Sequence, residues 1–337
     1  MCPKGFTATH GLLTPVTARE RGRQPGGEAK PPPSRTSQTP CPRKKHPFWL
    51  FRGGGWGWLE QLDVSTCVPS LLRVRLEADL LMAAVTDDRP LSAKRSMIDI
   101  HCHILPEVDD GAKSWEMALE MCRLARQDGI DHIVATPHAN EHYAFDRDRL
   151  MIKLEELERR TAGLLTLSLG CDFHLSYDNL EDVLAHPGRY TIGNSHYLLV
   201  EFSDYAISSQ INEVFGRLFR IGLIPVVTHP ERNPILQQDL RRVQEWAEQG
   251  CVIQVTASAV TGSWGDSPRR CSQWLLEHGA VHVLASDAHD DKYRVPLLSA
   301  AQAAVSKVFG PEVARALVED NPRAIINGRP VPFLPEG

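Results

Sequence analysis

From residue 97 onward the chain repeats one unit: a short run rich in apolar and β-branched residues, then an amphipathic stretch. The runs are MIDIH, HIVATPH, LLTLSLGCDF, YLLVEFS, IPVVTHP, CVIQVTA and VHVLASDAH. Most are apolar nearly throughout, as a parallel strand buried on both faces must be. SWEMALEMCRLARQDG, DRDRLMIKLEELERRTAG and DLRRVQEWAEQG carry helical spacing and close on Gly, a common helix stop. Only the connection before YLLVEFS is irregular. Alternating strand and helix calls for an α/β fold with a parallel sheet. Seven strands with helices outside predict a closed, distorted (β/α)7 barrel, a doubly wound open sheet being the alternative. No GxGxxG or GxxxxGK[ST] motif favours nucleotide binding.

The preceding residues are of another kind. Residues 1–96 hold 15 Lys/Arg against 8 Asp/Glu, and 11 of the 24 prolines, whereas residues 97–337 hold 22 Lys/Arg against 34 Asp/Glu. A stretch such as GGEAKPPPSRTSQTPCPRKK cannot bury enough surface to offset chain entropy. Two units are expected: a basic, Pro/Gly-rich, largely disordered segment over 1–96, and one folded α/β domain over 97–337. The first is expected to be dispensable, either a solvated arm or an upstream misreading of the gene start. Its basic residues lack aromatic interleaving, so no nucleic-acid partner is expected. Eight scattered cysteines without a CxxC pair read as reduced thiols. No apolar run approaches the roughly 20 residues of a membrane span, and the N-terminus is no secretory signal. A cytoplasmic protein without membrane insertion is the expectation.

The strand ends carry the chemistry. His101 and His103 close the first strand, His138 the second and Asp172 the third. Glu201 closes the fourth, His229 the fifth, and Asp287 and His289 follow the last. In parallel α/β barrels the C-terminal strand ends converge on the active site. Ionisable groups brought together there would be costly to bury unpaired, and metal ions are the simplest remedy. A mixture of imidazoles and carboxylates suits Zn, Mn or Fe. A single histidine at a strand end is usually a hydrogen-bonded core residue; the complete set carries the argument. His132, His142, His186, His196, His278 and His282 read as structural or solvated, and His174, two residues past Asp172, stays open.

The segments MIDIHCHILPEVDDG, VATPH, LVEFS, VVTHPER and LASDAH resemble the PHP (polymerase and histidinol phosphatase) superfamily of metallophosphoesterases. More closely they are similar to its bacterial tyrosine phosphatase branch, the CpsB/CapC type of capsule and exopolysaccharide operons. The likeness runs from Met97 to about residue 328. It implies a distorted (β/α)7 barrel holding three divalent metal ions, Mn²⁺ ahead of Zn²⁺, Fe²⁺ or Co²⁺. His101, His103, Asp172 and Asp287 would hold the first ion, and Asp110, His138 and His289 the second. Glu201 and His229 would hold the third, with Asp172 bridging. Arg232 and Arg294 match arginines that hold the phosphate. One position departs: the third-strand ligand is a Glu in better-known members and Asp172 here.

The implied activity is hydrolysis of phosphotyrosine on proteins, hydroxide on the metal cluster attacking phosphorus and His289 or a bound water supplying the proton. The natural substrate would be the tail of a bacterial tyrosine kinase. The alternatives are a phosphatase for a small phosphomonoester such as histidinol phosphate, and a non-catalytic kinase-binding module. Loops after Asp110, His138 and Asp172 are expected to frame the substrate. Cys67 and Arg73 fit the C-x5-R spacing of thiol-dependent tyrosine phosphatases. Yet CVPSLLR places Pro69, without an N–H, where that loop needs donors, so a cysteine mechanism is not expected.

Overall fold

The structure is a computed structural model and describes residues 96–334. The low-pattern segment and the pair Cys67 and Arg73 lie outside the described residues. The strands are β1 (Met97–Cys102), β2 (Ile130–Ala135), β3 (His138–Ala139), β4 (Thr166–Leu169), β5 (Asp172–His174), β6 (Tyr197–Glu201), β7 (Ile224–Thr228), β8 (Val252–Thr256) and β9 (Val283–Ala285). Every pairing is parallel, in the orders β1-β2-β4 and β3-β5-β6-β7-β8-β9.

These nine pieces are seven barrel staves. β2 and β3 are separated by two residues, as are β4 and β5, and bonds across the gaps continue the ladder. Thr136 N donates to Cys102 O at 2.9 Å, Gly170 N to Ala135 O at 2.8 Å and Asp172 N to Pro137 O at 3.2 Å. The seven-strand expectation therefore holds, with its second and third strands each broken once. The seam closes between β1 and the segment after β9. Cys102 bridges Ala288 in parallel, Asp287 N donates to His101 O and His103 N to Ala288 O, both at 2.8 Å. Deeper in the seam the buried Asp99 carboxylate accepts Ser286 N at 3.0 Å and the Ser286 hydroxyl, replacing ladder bonds.

Amphipathic helices cover the outside. α1 (Trp115–Asp128) starts at Ser114, whose Oγ accepts Met117 N, and stops at Gly129 with φ 101°. α2 (Arg147–Thr161) and α3 (Tyr177–Ala185) begin on Asp146 and Ser176 in the same way. α4 (Ile211–Arg220) turns Ile211, Phe215 and Leu218 onto the barrel, one face at i, i+4 and i+7. α5 (Leu240–Glu248), the short α6 (Ala257–Val260) and α7 (Asp266–Glu277) follow β7 and β8. α8 (Ser299–Phe309), α9 (Pro311–Arg315) and α10 (Asn321–Ile326) complete the described chain. Among the described residues no helix is long and apolar enough to cross a membrane.

The interior is packed with Ile98, Ile100, Val134, Leu199, Val226 and Val283, among others. Along β6, β7 and β9 these residues share a phase with the polar residue at each strand's C-terminal end. Tyr197 and Leu199 lead to Glu201, Val226 to Thr228, and Val283 and Ala285 to Asp287. The barrel is thus apolar below and ionic at its C-terminal mouth.

Candidate metal centre

β1 delivers two histidines, and it does so by breaking its own alternation. Ile98 and Ile100 belong to the interior cluster, so strict alternation would send His101 and His103 outward. The pairing with β2 slips between Asp99 and Cys102. Such a bulge shifts the phase and brings both imidazoles inside, where they are fully buried. The loop after His103 then folds back over it. Ala112 N donates to His103 O at 3.0 Å, and Gly111 N to Asp109 Oδ1 at 2.9 Å. A side chain on Gly111 would place its Cβ 2.1 Å from His103 O, so only glycine permits this approach.

All nine residues expected as ligands meet at the mouth. His101 Nε2 is 3.3 Å from His103 Nε2, 3.5 Å from Asp172 Oδ2 and 3.4 Å from Asp287 Oδ1. His103 Nε2 is 3.5 Å from Asp287 Oδ1. Asp110 Oδ1 lies 3.4 Å from both His138 Nε2 and His289 Nε2. His138 Nδ1 lies 3.2 Å from Asp172 Oδ2 and 3.6 Å from Glu201 Oε2, and His229 Nε2 is 3.7 Å from Glu201 Oε1.

The grouping differs in detail from the expected assignment. His103 stands within reach of Asp110, His138 and His289 as well as of His101 and Asp172, and His138 reaches both Asp110 and the Asp172–Glu201 pair. His174 follows Asp172 on the same side of β5, opposite Glu201 in the ladder, with Nδ1 3.5 Å from Glu201 Oε2. His229 and Asp287 adopt positive φ, 34° and 51°. Left-handed backbone outside glycine stores strain, and such strain gathers at functional sites.

These residues fit metal ions. Both carboxylate oxygens of Asp172 and His138 Nδ1 are buried without a hydrogen bond, a costly state unless something electropositive lies between them. The titration behaviour points the same way. Burial opposes charging His138, yet Asp110 and Asp172 overcome it and push the ring up to about 11. Burial is likewise overcome at His103, which Asp109 and Asp287 raise to about 9. Asp172 and Asp287, despite burial, are held well below the usual carboxylate range by His101 and neighbouring groups. The cluster thus gathers protons to balance its carboxylates, and divalent cations would replace them.

Arg232 and Arg294 both end on Asp287 Oδ2, Arg294 Nη2 at 2.6 Å. His289, expected either as ligand or as proton source, has Nδ1 3.1 Å from Asp287 O. Burial and the neighbouring His103 push it down to about 4. That favours a ligand over an acid. On the loop after His138, one of those expected to frame the substrate, Tyr143 stacks beside His138 at 6.1 Å between ring centroids, whereas Phe145 packs inward against Tyr190 at 5.3 Å.

Three participants escaped the reading of the sequence. The buried Asp109 accepts from His103 Nδ1 at 2.8 Å and from His138 N at 3.1 Å. Gln254 on β8 lies with Oε1 3.0 Å from His101 Nδ1. Trp264, on the α6–α7 turn, stacks against Arg232 with Cζ 3.9 Å from the ring centroid. The adjacent DD in EVDDG was the only available signal, and it does not say which Asp points where.

Residues 97–327 match the family model described as "Capsular polysaccharide synthesis, CpsB/CapC". The tyrosine-protein phosphatase CpsB of Streptococcus pneumoniae is 30% identical over 239 residues, 68% of this chain and 98% of that protein. The tyrosine-protein phosphatase YwqE of Bacillus subtilis is 32% identical over 228 residues, 66% of this chain and 89% of its own. Among solved structures, a chain from the work on Bacillus subtilis YwqE and Streptococcus pneumoniae CpsB, described as unique metal-dependent tyrosine phosphatases, superposes with a TM-score of 0.67 at 30% identity. It covers 71% of this chain and 98% of its own. Sequence, barrel and strand-end cluster agree, and the chain belongs to the CpsB/CapC family.

Proposed function

We propose that this protein is a metal-dependent protein-tyrosine phosphatase that acts in the cytoplasm, its substrate the phosphorylated tail of a bacterial tyrosine kinase governing polysaccharide synthesis. The observation that carries the reading is the cluster at the barrel mouth: seven residues in overlapping metal-capable groups, with Asp287 and His229 beside them, and buried, unpaired Asp172 and His138 atoms at the centre. Residues 97–337 are proposed to carry the whole activity, in keeping with a family match that begins at Met97.

Three ions are proposed. His101, His103, Asp172 and Asp287 would hold one; Asp110, His138 and His289 a second; Glu201 and His229 a third, shared with Asp172. Mixed imidazole and carboxylate donors favour Mn²⁺ over an all-oxygen ion such as Ca²⁺. Bound divalent ions supply charge neutralisation at phosphoryl oxygens and acidify water, making hydroxide accessible near neutral pH. Arg232 and Arg294 donate planar, paired hydrogen bonds to the phosphoryl oxygens; their meeting on Asp287 Oδ2 aims both guanidinium groups at one place. A tyrosine leaving group has a pKa of about 10. It departs without a strong general acid, consistent with a His289 held neutral by burial.

Steady-state kinetics with a phosphotyrosine peptide and with histidinol phosphate test the substrate class. The peptide is expected to show the higher kcat/KM by about tenfold or more, which is about 1.4 kcal/mol. A preference for histidinol phosphate would reassign the chain to small-molecule chemistry.

A further inference from the structure

We propose that Trp264 is a positioning residue for phosphate recognition: its indole face holds Arg232 and Arg294 as a preset pair beside the metal centre. The inference rests on the phosphatase reading and names the part of the site that sets how the phosphoryl group is gripped.

Two guanidinium groups at one carboxylate repel each other; both meet on Asp287 Oδ2, and only Arg294 has a further acceptor there, its Nη2 donating to Asp287 O at 3.1 Å. A second attraction is in place. Arg232 Cζ lies 3.9 Å from the Trp264 ring centroid and Arg294 Cζ 5.3 Å, both inside the roughly 6 Å over which a ring quadrupole attracts a cation. The turn that presents the indole is built for it. Gly262 and Gly265 flank Trp264 at φ 88° and 89°, and Ser263 N donates to Ser258 O at 2.8 Å, fixing the turn between α6 and α7.

Position supports the same role. Trp264 lines two clefts. One, of about 230 Å³, contains Glu201, His229 and Arg232; the other, of about 360 Å³, contains Asp287, Tyr293 and Arg294. The indole therefore borders both the cleft that holds Arg232 and the cleft that holds Arg294. Arg294 also keeps its Nε–H buried with no protein acceptor, a donor free for an incoming oxyanion. Without the indole, Arg232 has only Asp287 to restrain it, and a long flexible side chain so released loses the alignment that paired donation needs.

The test compares Trp264→Ala, Trp264→Phe and wild type in the metal-loaded full chain. Bound metal, melting temperature, the dissociation constant for inorganic phosphate and the kcat and KM for a phosphotyrosine peptide are measured on each. Trp264→Ala is expected to keep its metal content and to bind phosphate about tenfold more weakly, as loss of two partly exposed cation–π contacts implies, with a matching fall in kcat/KM. Trp264→Phe, which keeps a π face, is expected to recover most of the affinity. Unchanged phosphate affinity in a metal-loaded Trp264→Ala protein overturns the proposal. So does a Phe variant as impaired as the Ala variant, and so does loss of metal together with melting temperature in both, because each would make Trp264 a packing residue only. If wild type fails to turn over the peptide while its phosphate affinity still depends on Trp264, the substrate reading falls and this inference stands.

Discussion

At the scale of single residues, His101 and His103 each have one ring nitrogen committed before any ligand arrives. Gln254 Oε1 and the Asp109 carboxylate can only accept, so each Nδ1 carries a proton, and each Nε2 is left to offer its lone pair to the centre once a cation displaces the proton held there. Partners of this kind typically account for 10–100-fold in metal affinity. Asp109→Ala is therefore expected to weaken metal binding by about that factor while leaving the ligand set intact, with excess metal restoring turnover. Metal affinity equal to wild type, measured by competition with a chromogenic chelator, would remove Asp109 from the centre. The cluster was legible because histidines and carboxylates at the ends of several buried strands must face one another, although any one of them alone reads as a hydrogen-bonded core residue. Asp109, Gln254 and Trp264 were not, because their roles depend on which chain segment passes behind the ligand. At Asp172 the unpaired Oδ2 sits between the two rings, 3.5 Å from His101 Nε2 and 3.2 Å from His138 Nδ1.

At the scale of elements, the strand pattern predicted the staves but not their defects. β2/β3 and β4/β5 read as single runs, and β1 read as regular. Yet the slip in β1 lets Ile100 and the two histidines share the interior. Apolar residues carry no mark of a bulge, so the sequence could not announce it. The loop closing on β1 depends on a glycine instead. Gly111→Ala would force its Cβ into His103 O, displacing Asp109 and Asp110 together. The expected outcome is a protein with wild-type far-ultraviolet circular dichroism and at least tenfold weaker metal binding, by the measure that applies to lost supporting bonds. Wild-type metal affinity would show that the loop re-forms without that close approach.

The β8–β9 connection makes a separate, acid-sensitive element. His282 is buried, and its Nδ1 accepts Ile253 N at 3.1 Å. Burial pushes it down to about 4 from an ordinary value of 6.5. A depressed histidine is neutral in both states above pH 6.5, so its stabilising effect is complete there. Below that it is lost, as the unfolded chain takes up a proton the folded chain refuses. The loss reaches about 2 kcal/mol by pH 5. His282→Asn keeps an acceptor near the same place and cannot titrate. Urea unfolding is expected to show the Asn variant losing about 2 kcal/mol less than wild type between pH 7 and pH 5. Parallel losses in the two proteins would contradict this.

At the scale of the whole molecule, the barrel was legible because seven buried parallel runs have few ways to hide both faces, and closure is one of them. The seam was not. Asp99 and Ser286, which replace ladder bonds between β1 and β9, look in sequence like ordinary polar residues at strand positions. Closure sets the function, since it makes the ends of seven staves a ring around one point and so concentrates nine ionisable residues where they need cations. Catalysis by this protein stands or falls on that need. The decisive measurement strips the purified full chain of metal with a chelator, then titrates Mn²⁺ back while following bound metal and phosphotyrosine-peptide hydrolysis together. The metal-free protein is expected to be inactive, turnover to rise with occupancy of the site, and thiol alkylation of the reloaded enzyme to change nothing. Hydrolysis that persists in the metal-free protein and disappears on alkylation would contradict a metal-dependent mechanism outright.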